Sequence, residues 1–227
     1  MNSIEKHVVD RLQSMQIELE PFPHFYVNNV FPQHFYQKIM ANVLGDEEFN
    51  CDDPYRFNLN FEDGGLAKIG SGKRDFWGDL SGWMTGDTFK ASVASLVYPQ
   101  LKIRFFERNE VALKSTVSLS RNKAGFMLGP HTDMPHRVFS LIFYLPTGDQ
   151  HWETGTSMYR ARDEDFKCAG GPHHGFDEFK KLATIRFMPN MAFGFLKSDV
   201  SFHGVEPWAD KNFVRDTIQY EINDTDR

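Results

Sequence analysis

The run RVFSLIFYL, residues 137–145, limits the fold more than any other stretch of the chain. It is long, branched and aromatic, and so reads as a buried strand. Thr116–Ser120 precedes it as a further strand, and Gly155–Arg160, Leu182–Met188, Met191–Leu196 and Val214–Ile222 follow. Pro189-Asn190, between two of these, reads as a tight hairpin turn. Short strands separated by turn signals predict a sandwich or barrel, not a βαβ array. The 22 phenylalanines suit an aromatic-lined β architecture better than a small helical bundle.

Upstream the texture is different. Ile4, Val8, Leu12 and Met15 recur at helical spacing, as do Phe35, Ile39 and Val43 after Pro32. Phe89, Val93 and Leu96 mark another helix, disturbed at Pro99. Residues 45–87 are rich in Gly, Asp and aromatics and show no clear period. Within them Gly70-Ser71-Gly72-Lys73-Arg74 resembles a phosphate loop, but Ala67 and Arg74 stand where the pattern needs Gly and Ser or Thr, so it reads as a flexible loop. The 227 residues therefore divide, within one domain, into a helical and irregular part, 1–114, and a β core, 115–222. Residues 162–179, with Gly170-Gly171-Pro172, form an excursion that reads equally as a functional loop or a tolerated insertion.

A formal net charge of −6 argues against nucleic acid as an obligate partner. No apolar run approaches a membrane span, and the charged, amphipathic start is not a secretory signal. Cys51 and Cys168 make neither a disulfide framework nor a zinc spacing, and the plain reading is a reducing, cytoplasmic setting.

The chemistry gathers in GPHTDMPHRVFSLIFYLP. His131 and Asp133 are two apart, so on extended backbone both side chains leave the same face. A Gly-Pro loop leads into the pair and the buried strand leads out, which places it at the rim of a rigid sheet. An imidazole and a carboxylate are two of the three ligands of a 2-His-1-carboxylate triad, which leaves Fe(II) positions open. His203, in SDVSFHGVEPW, follows a strand and supplies the third. A short motif of this kind is weak alone, and His151-Trp152-Glu153 imitates it from a polar connection without the Gly-Pro entry. The adjacent His173 and His174 point to opposite sides on extended backbone and are rejected as a primary metal site.

Further on, Phe213, Arg215 and Thr217 share one strand face. An arginine among apolar neighbours needs an anionic partner, and its guanidinium fork matches a carboxylate. That partner is either a ligand, with the Thr217 hydroxyl assisting, or a side chain such as Asp216 or Glu221. Ser118, Ser120, Arg121, Asn122, Arg160, Arg186 and Trp208 are weaker candidates for a substrate pocket, each read more readily as a structural or surface residue.

In order, His131-Thr132-Asp133, Tyr144-Leu145, Gly155-Thr156-Ser157-Met158, His203-Gly204-Val205 and Arg215 make the sequence resemble the 2-oxoglutarate and Fe(II)-dependent oxygenases, nearest their prolyl-hydroxylase-like branch. The run PFPHFYVNNVFPQHFYQKIM is similar to the strand-then-helix entry of bacterial members. The resemblance implies a mainly β fold with N-terminal helices, a double-stranded β-helix (jelly-roll) core with supporting helices packed outside. It implies Fe(II) on His131, Asp133 and His203, and 2-oxoglutarate anchored by Arg215 with Tyr144 and Thr217, although Tyr144 also reads as a core aromatic at a strand end. It implies O2 as oxidant, succinate and CO2 as products, ascorbate as a stimulant, and hydroxylation of an amino acid, peptidyl residue or small metabolite. The halogenating relatives lack the carboxylate ligand that Asp133 provides here. Two other readings stay open: a cupin-like metal enzyme that does not use 2-oxoglutarate, and a non-catalytic binding module on the same scaffold. Neither the substrate nor the oligomeric state can be read from the residues.

Overall fold

The computed structural model describes residues 1–49 and 53–226, so Cys51 lies outside the described residues. Among the described residues ten strands carry the architecture: β1 His24–Asn28, β2 Arg56–Asn60, β3 Leu113–Lys123, β4 Leu128–His131, β5 Arg137–Tyr144, β6 Thr156–Ala161, β7 Phe179–Ile185, β8 Met191–Leu196, β9 His203–Val205 and β10 Val214–Asp224. They form a large sheet, β1-β8-β5-β10-β3-β2, and a small one, β4-β9-β6-β7, with every pairing antiparallel. Strands β3 to β10 alone make two facing sheets of four, the jelly-roll pattern, and β1 and β2 extend the large sheet at its two edges.

Among the described residues seven helices belong to the N-terminal part: α1 Ser3–Gln13, α2 Gln33–Ala41, α3 Asp46–Phe49, α4 Leu66–Lys68, α5 Ser71–Met84, α6 Asp87–Leu96 and α7 Tyr98–Arg104. Strand alternation explains how they and the site share one sheet. Leu119 of β3, Phe143 of β5 and Ile218 of β10 point one way, into a core with Val8, Ile39, Trp77 and Phe89 of the helices. Ser120, Ile142 and Arg215 point the other way, into the space between the sheets. The helices thus support the large sheet from behind and leave its inner face for chemistry.

Three expectations need correction. Residues 189–190 do turn, with Asn190 at φ 55°, but β7 and β8 lie in different sheets, so the turn carries the chain across the sandwich and closes no hairpin. Gly70–Arg74 is no flexible loop, for α5 begins at Ser71. Its glycines hide the helix, whose hold is a buried stripe of Trp77, Leu80, Ser81 and Met84. Lys73 ties the first turn to Val43 and Glu48, and Arg74 reaches back to the Ile69 carbonyl. Pro99 does not simply disturb a helix: α6 stops at Leu96 and Pro99 sits in the first turn of α7, where its missing N–H costs nothing. Trp77 is fully buried against Phe61 and Phe76, with its indole N–H on the Asn42 carbonyl at 2.8 Å. Trp77→Ala should therefore lower unfolding free energy by about 3–5 kcal/mol, read as a shift in urea midpoint. Unchanged stability would mean the α5 stripe is not part of the core.

Candidate active site

Two strands of the small sheet meet at the centre of the site. His131 ends β4, His203 begins β9, and the two face each other in register. Gly204 permits the approach, because a Cβ there would lie 2.4 Å from the Leu128 carbonyl oxygen. Asp133, two residues beyond His131, completes a group in which one donor atom from each residue lies within 4.8 Å of the others. Asp133 Oδ1 is 4.0 Å from His131 Nε2 and 3.7 Å from His203 Nε2.

Each donor is aimed by a second bond. His131 Nδ1 lies 3.0 Å from the Gly129 carbonyl and His203 Nδ1 3.0 Å from the Ser201 carbonyl. A carbonyl only accepts, so each ring carries a proton on Nδ1, and this bond turns its Nε2 toward the centre of the group. The Ser140 hydroxyl donates to Asp133 Oδ2 at 2.7 Å, which leaves Oδ1 for the centre of the group. Burial, with His203 adding to it, pushes His131 down to about 3, so the ring is neutral near pH 7 as a ligand must be. Burial opposes ionisation of Asp133, but His203, Arg137 and the Ser140 hydroxyl outweigh it and hold the carboxyl below its usual range. Two imidazole nitrogens and one carboxylate oxygen fit a divalent iron site with open positions. Ser140→Ala should cost about 10–100-fold in metal affinity, measured by competitive chelation, because the carboxylate loses the bond that fixes its rotation. Wild-type affinity in that variant would show that Ser140 orients nothing.

The second pole is Arg215, the second residue of β10 and only 3% exposed. Its Nε donates to the Thr154 carbonyl at 2.7 Å, Nη1 to Asn122 Oδ1 at 3.2 Å and Nη2 to Thr156 Oγ1 at 3.3 Å. All three acceptors are neutral. Asp216 and Glu221 do not serve it, since Asp216 points the other way to Arg121 and Glu221 pairs with Arg137. Among the described residues no carboxylate pairs with Arg215, and burial pulls its pKa down. A buried guanidinium without a counterion is a prepared place for an anion. Tyr144 is fully buried beside it, with its ring 5.6 Å from Arg215 Cζ and its hydroxyl 2.9 Å from Thr156 Oγ1. Burial raises the Tyr144 pKa, so it stays a neutral donor. Thr217 shares the inner face and its buried Oγ1 has no hydrogen-bond partner among the described residues, yet it is not one of those that line the cavity.

A cavity of about 160 Å³ connects the poles and is lined by the triad, Thr156, Arg215 and Asn122, among others. A cavity near that size holds a benzene-sized molecule. Of the weaker candidates, Ser120 and Asn122 line it, and Ser118, Arg121, Arg160, Arg186 and Trp208 do not. Arg121 binds Asp216 and Asp46 behind the sheet, Arg160 reaches Glu20 at the surface, and Arg186 lies over Trp152. Trp208 packs against Phe126 and Phe213. The imitation pair takes no part: His151 stacks on Phe213 and faces Asp210.

The excursion 162–179 lies against the triad. Thr132, between His131 and Asp133, donates to the Cys168 carbonyl, and the His174 amide donates to the Pro130 carbonyl. His173 and His174 do diverge. His173 places its ring 4.7 Å from that of His131, and His174 packs among Phe166, Phe179 and Phe202. Ser140, Thr156, Arg56 and the Arg137–Glu221 pair were not singled out in the sequence, although all line the cavity. Ser140 left a signal, the one small polar side chain in an apolar run. The others depend on register between distant strands and left none.

No protein-family model and no curated protein sequence matches the chain. Its fold is similar to solved structures. A prolyl 4-hydroxylase from Phytophthora capsici superposes with TM-score 0.61 at 14% identity, over 99% of this chain and 67% of that one. A prolyl-4-hydroxylase from Pseudomonas putida gives 0.54 at 13% identity, over 97% and 98%. HygX from Streptomyces hygroscopicus, with nickel, 2-oxoglutarate and hygromycin B bound, gives 0.51 at 11% identity, over 89% and 83%. These likenesses establish the double-stranded β-helix fold with its outer helices.

Proposed function

We propose that the chain is an Fe(II)- and 2-oxoglutarate-dependent oxygenase that hydroxylates a small molecule or an amino-acid residue. The observation that carries this reading is one cavity with two matched ends: a His131, Asp133, His203 donor set and a buried Arg215 with no carboxylate partner among the described residues. A cupin-like metal enzyme needs the first end only and leaves the second unexplained. That solved structures of the same fold include prolyl 4-hydroxylases and HygX with 2-oxoglutarate bound agrees with it.

His131, Asp133 and His203 would hold the iron through Nε2, Oδ1 and Nε2. Arg215 would hold the distal carboxylate of 2-oxoglutarate, with Tyr144 packed beside the guanidinium, while Thr217 stands behind the cavity lining. When bound, iron and 2-oxoglutarate supply the oxidising chemistry, in which O2 is consumed and succinate and CO2 are released. The protein's part is geometric. The Gly129 and Ser201 carbonyls and the Ser140 hydroxyl fix the rotamers of the three donors, so a metal would be held without reorganisation. Phe187 and Tyr144 wall the arginine from water, where a charge-assisted bond to a carboxylate is strong. The reading is tested by loading the protein with Mn(II) and titrating 2-oxoglutarate, then by following succinate with Fe(II) and air. Saturable binding and Fe(II)-dependent succinate are expected. Protein that takes up metal but no 2-oxoglutarate would instead be a cupin-like enzyme.

A further inference from the structure

The alternation of β10 sends Ile218, Tyr220 and Ile222 toward the helices, and Arg215, Gln219 and Glu221 into the cavity. β10 runs between β5 and β3 in the interior of the large sheet, where a polar side chain is normally held by hydrogen bonds. Two of the three have such bonds. Arg215 donates to Thr154, Asn122 and Thr156, and Glu221 pairs with Arg137 and accepts from Thr116. Gln219, half-buried between them, has no hydrogen-bond partner for its amide among the described residues. A long side chain ordered on a cavity wall without a bond loses rotamer freedom and returns nothing to stability.

Register gives Gln219 a companion. Ser118 of β3 lies directly opposite it, half-buried on the same face, and its hydroxyl too has no hydrogen-bond partner among the described residues. Facing pairs of this kind stand about 5 Å apart at Cβ, so one small group can touch both. The other neighbour, Ile142 of β5, is apolar, and so are Leu128 and Val205, which the small sheet contributes to the cavity. None of these can satisfy an amide. Position separates Gln219 from the proposed cosubstrate end. It is four residues, about 13 Å, along β10 from Arg215, and side chains on one face stand roughly parallel. The carboxylate carbons of 2-oxoglutarate are only about 5 Å apart. In level Gln219 is instead next to the metal donors, because Glu221, two residues on, faces the Ser140 that bonds Asp133.

We infer that Gln219, with Ser118 beside it, is a specificity-determining contact for the substrate, and that the substrate presents to it a neutral group that both donates and accepts hydrogen bonds, an amide or a hydroxyl. The inference rests on the oxygenase reading for what is then oxidised, but not for the existence of the contact. The Gln219 amide offers one acceptor oxygen and two N–H donors, and Ser118 offers both senses in one hydroxyl. An amide or hydroxyl can answer in both senses at once. A carboxylate only accepts and an ammonium only donates, so each leaves part of the pair unmet. Holding one polar group beside the metal level orients the rest of a small substrate toward the triad.

The test uses four probes of similar size: acetamide, ethanol, acetate and ethylammonium. Each is titrated into full-length protein loaded with Mn(II) and saturated with 2-oxoglutarate, and the paramagnetic relaxation of its methyl protons reports binding near the metal. Acetamide or ethanol should give saturable relaxation in wild type. The stronger of the two names the substrate group, an amide or a hydroxyl. Gln219→Leu keeps the side chain's bulk and removes its hydrogen bonds, so it should weaken the better neutral probe roughly tenfold and leave acetate and ethylammonium unchanged. Gln219→Glu should turn the preference toward ethylammonium. 2-Oxoglutarate affinity and the urea midpoint should match wild type in Gln219→Leu. Absence of saturable relaxation of both neutral probes, or equal binding of them in Gln219→Leu, overturns the inference. So does a tenfold loss of 2-oxoglutarate affinity in Gln219→Leu, which would assign Gln219 to the cosubstrate. If wild type takes up Mn(II) but no 2-oxoglutarate, the oxygenase reading fails separately, and the same titrations on the metal-loaded protein still decide whether Gln219 holds a neutral polar group.

Discussion

Replacing His131, Asp133 or His203 by alanine is expected to abolish Fe(II)-dependent succinate formation while the protein stays folded. The size of the loss follows from what one ligand contributes. Structural zinc sites with four ligands bind with about 10–16 kcal/mol, so one ligand is worth about 3–4 kcal/mol, or roughly 10²–10³-fold in metal affinity. Activity should fall further, because a metal held by two groups is no longer fixed against Arg215. The fold should tolerate the changes. The triad lies at the mouth of the small sheet, where β9 contributes only three residues, and the main core of Trp77, Phe89, Phe143 and Ile218 is on the far side of the large sheet. The three variants should also differ in kind. Asp133→Ala removes the partner of Ser140 Oγ and the only carboxylate of the group, so it should lose metal most completely. Far-UV circular dichroism, metal content after dialysis and succinate release check these points together. Full turnover in His131→Ala or Asp133→Ala would sink the assignment.

How much of this was legible in the residues differs from place to place, for physical reasons. A buried strand announces itself by composition, so RVFSLIFYL and the runs after it fixed the β core to within a few residues. The pair His131 and Asp133 was legible because the strand period is local, and His203 because a strand and a glycine bracket it. Helix α5 was not, since Gly72, Gly78 and Gly82 lower its intrinsic propensity and burial of Trp77 decides the outcome. The turn at 189–190 was read correctly as a turn and wrongly as a hairpin, because turn chemistry does not say which sheet the next strand joins. β2, at the edge of the large sheet, fell in the stretch without a clear period, and with it went Arg56. The facing of Gln219 and Ser118 across two strands and the bond from Ser140 to Asp133 are facts of register and approach, which a single sequence does not contain.

Replacing Arg215 by methionine separates the oxygenase reading from a merely structural arginine, because the two predict opposite balances of stability and binding. In the protein without ligand, Arg215 is a buried charge whose bonds go to three neutral acceptors. Desolvating such an ion costs several kcal/mol, and bonds from a charged donor return about 1.5–3 kcal/mol each, so the terms nearly cancel. Arg215→Met fills similar space and should shift unfolding free energy by no more than about 2 kcal/mol. For 2-oxoglutarate the cancellation disappears. Loss of one partner of a buried, hydrogen-bonded charge pair costs about 2–5 kcal/mol, so affinity should fall by roughly 30- to 4,000-fold. A linked effect follows for the wild type. Because the ligand binds only the folded protein, 2-oxoglutarate at about 100 times its dissociation constant should add about 2.7 kcal/mol to metal-loaded wild type, and no more than about 0.9 kcal/mol to Arg215→Met at the same concentration. Denaturant melts of both proteins, with and without 2-oxoglutarate, read all of these numbers in one experiment. A structural arginine would instead give a loss of about 3–5 kcal/mol without ligand and no ligand-dependent difference, which is the signature of a cupin-like enzyme.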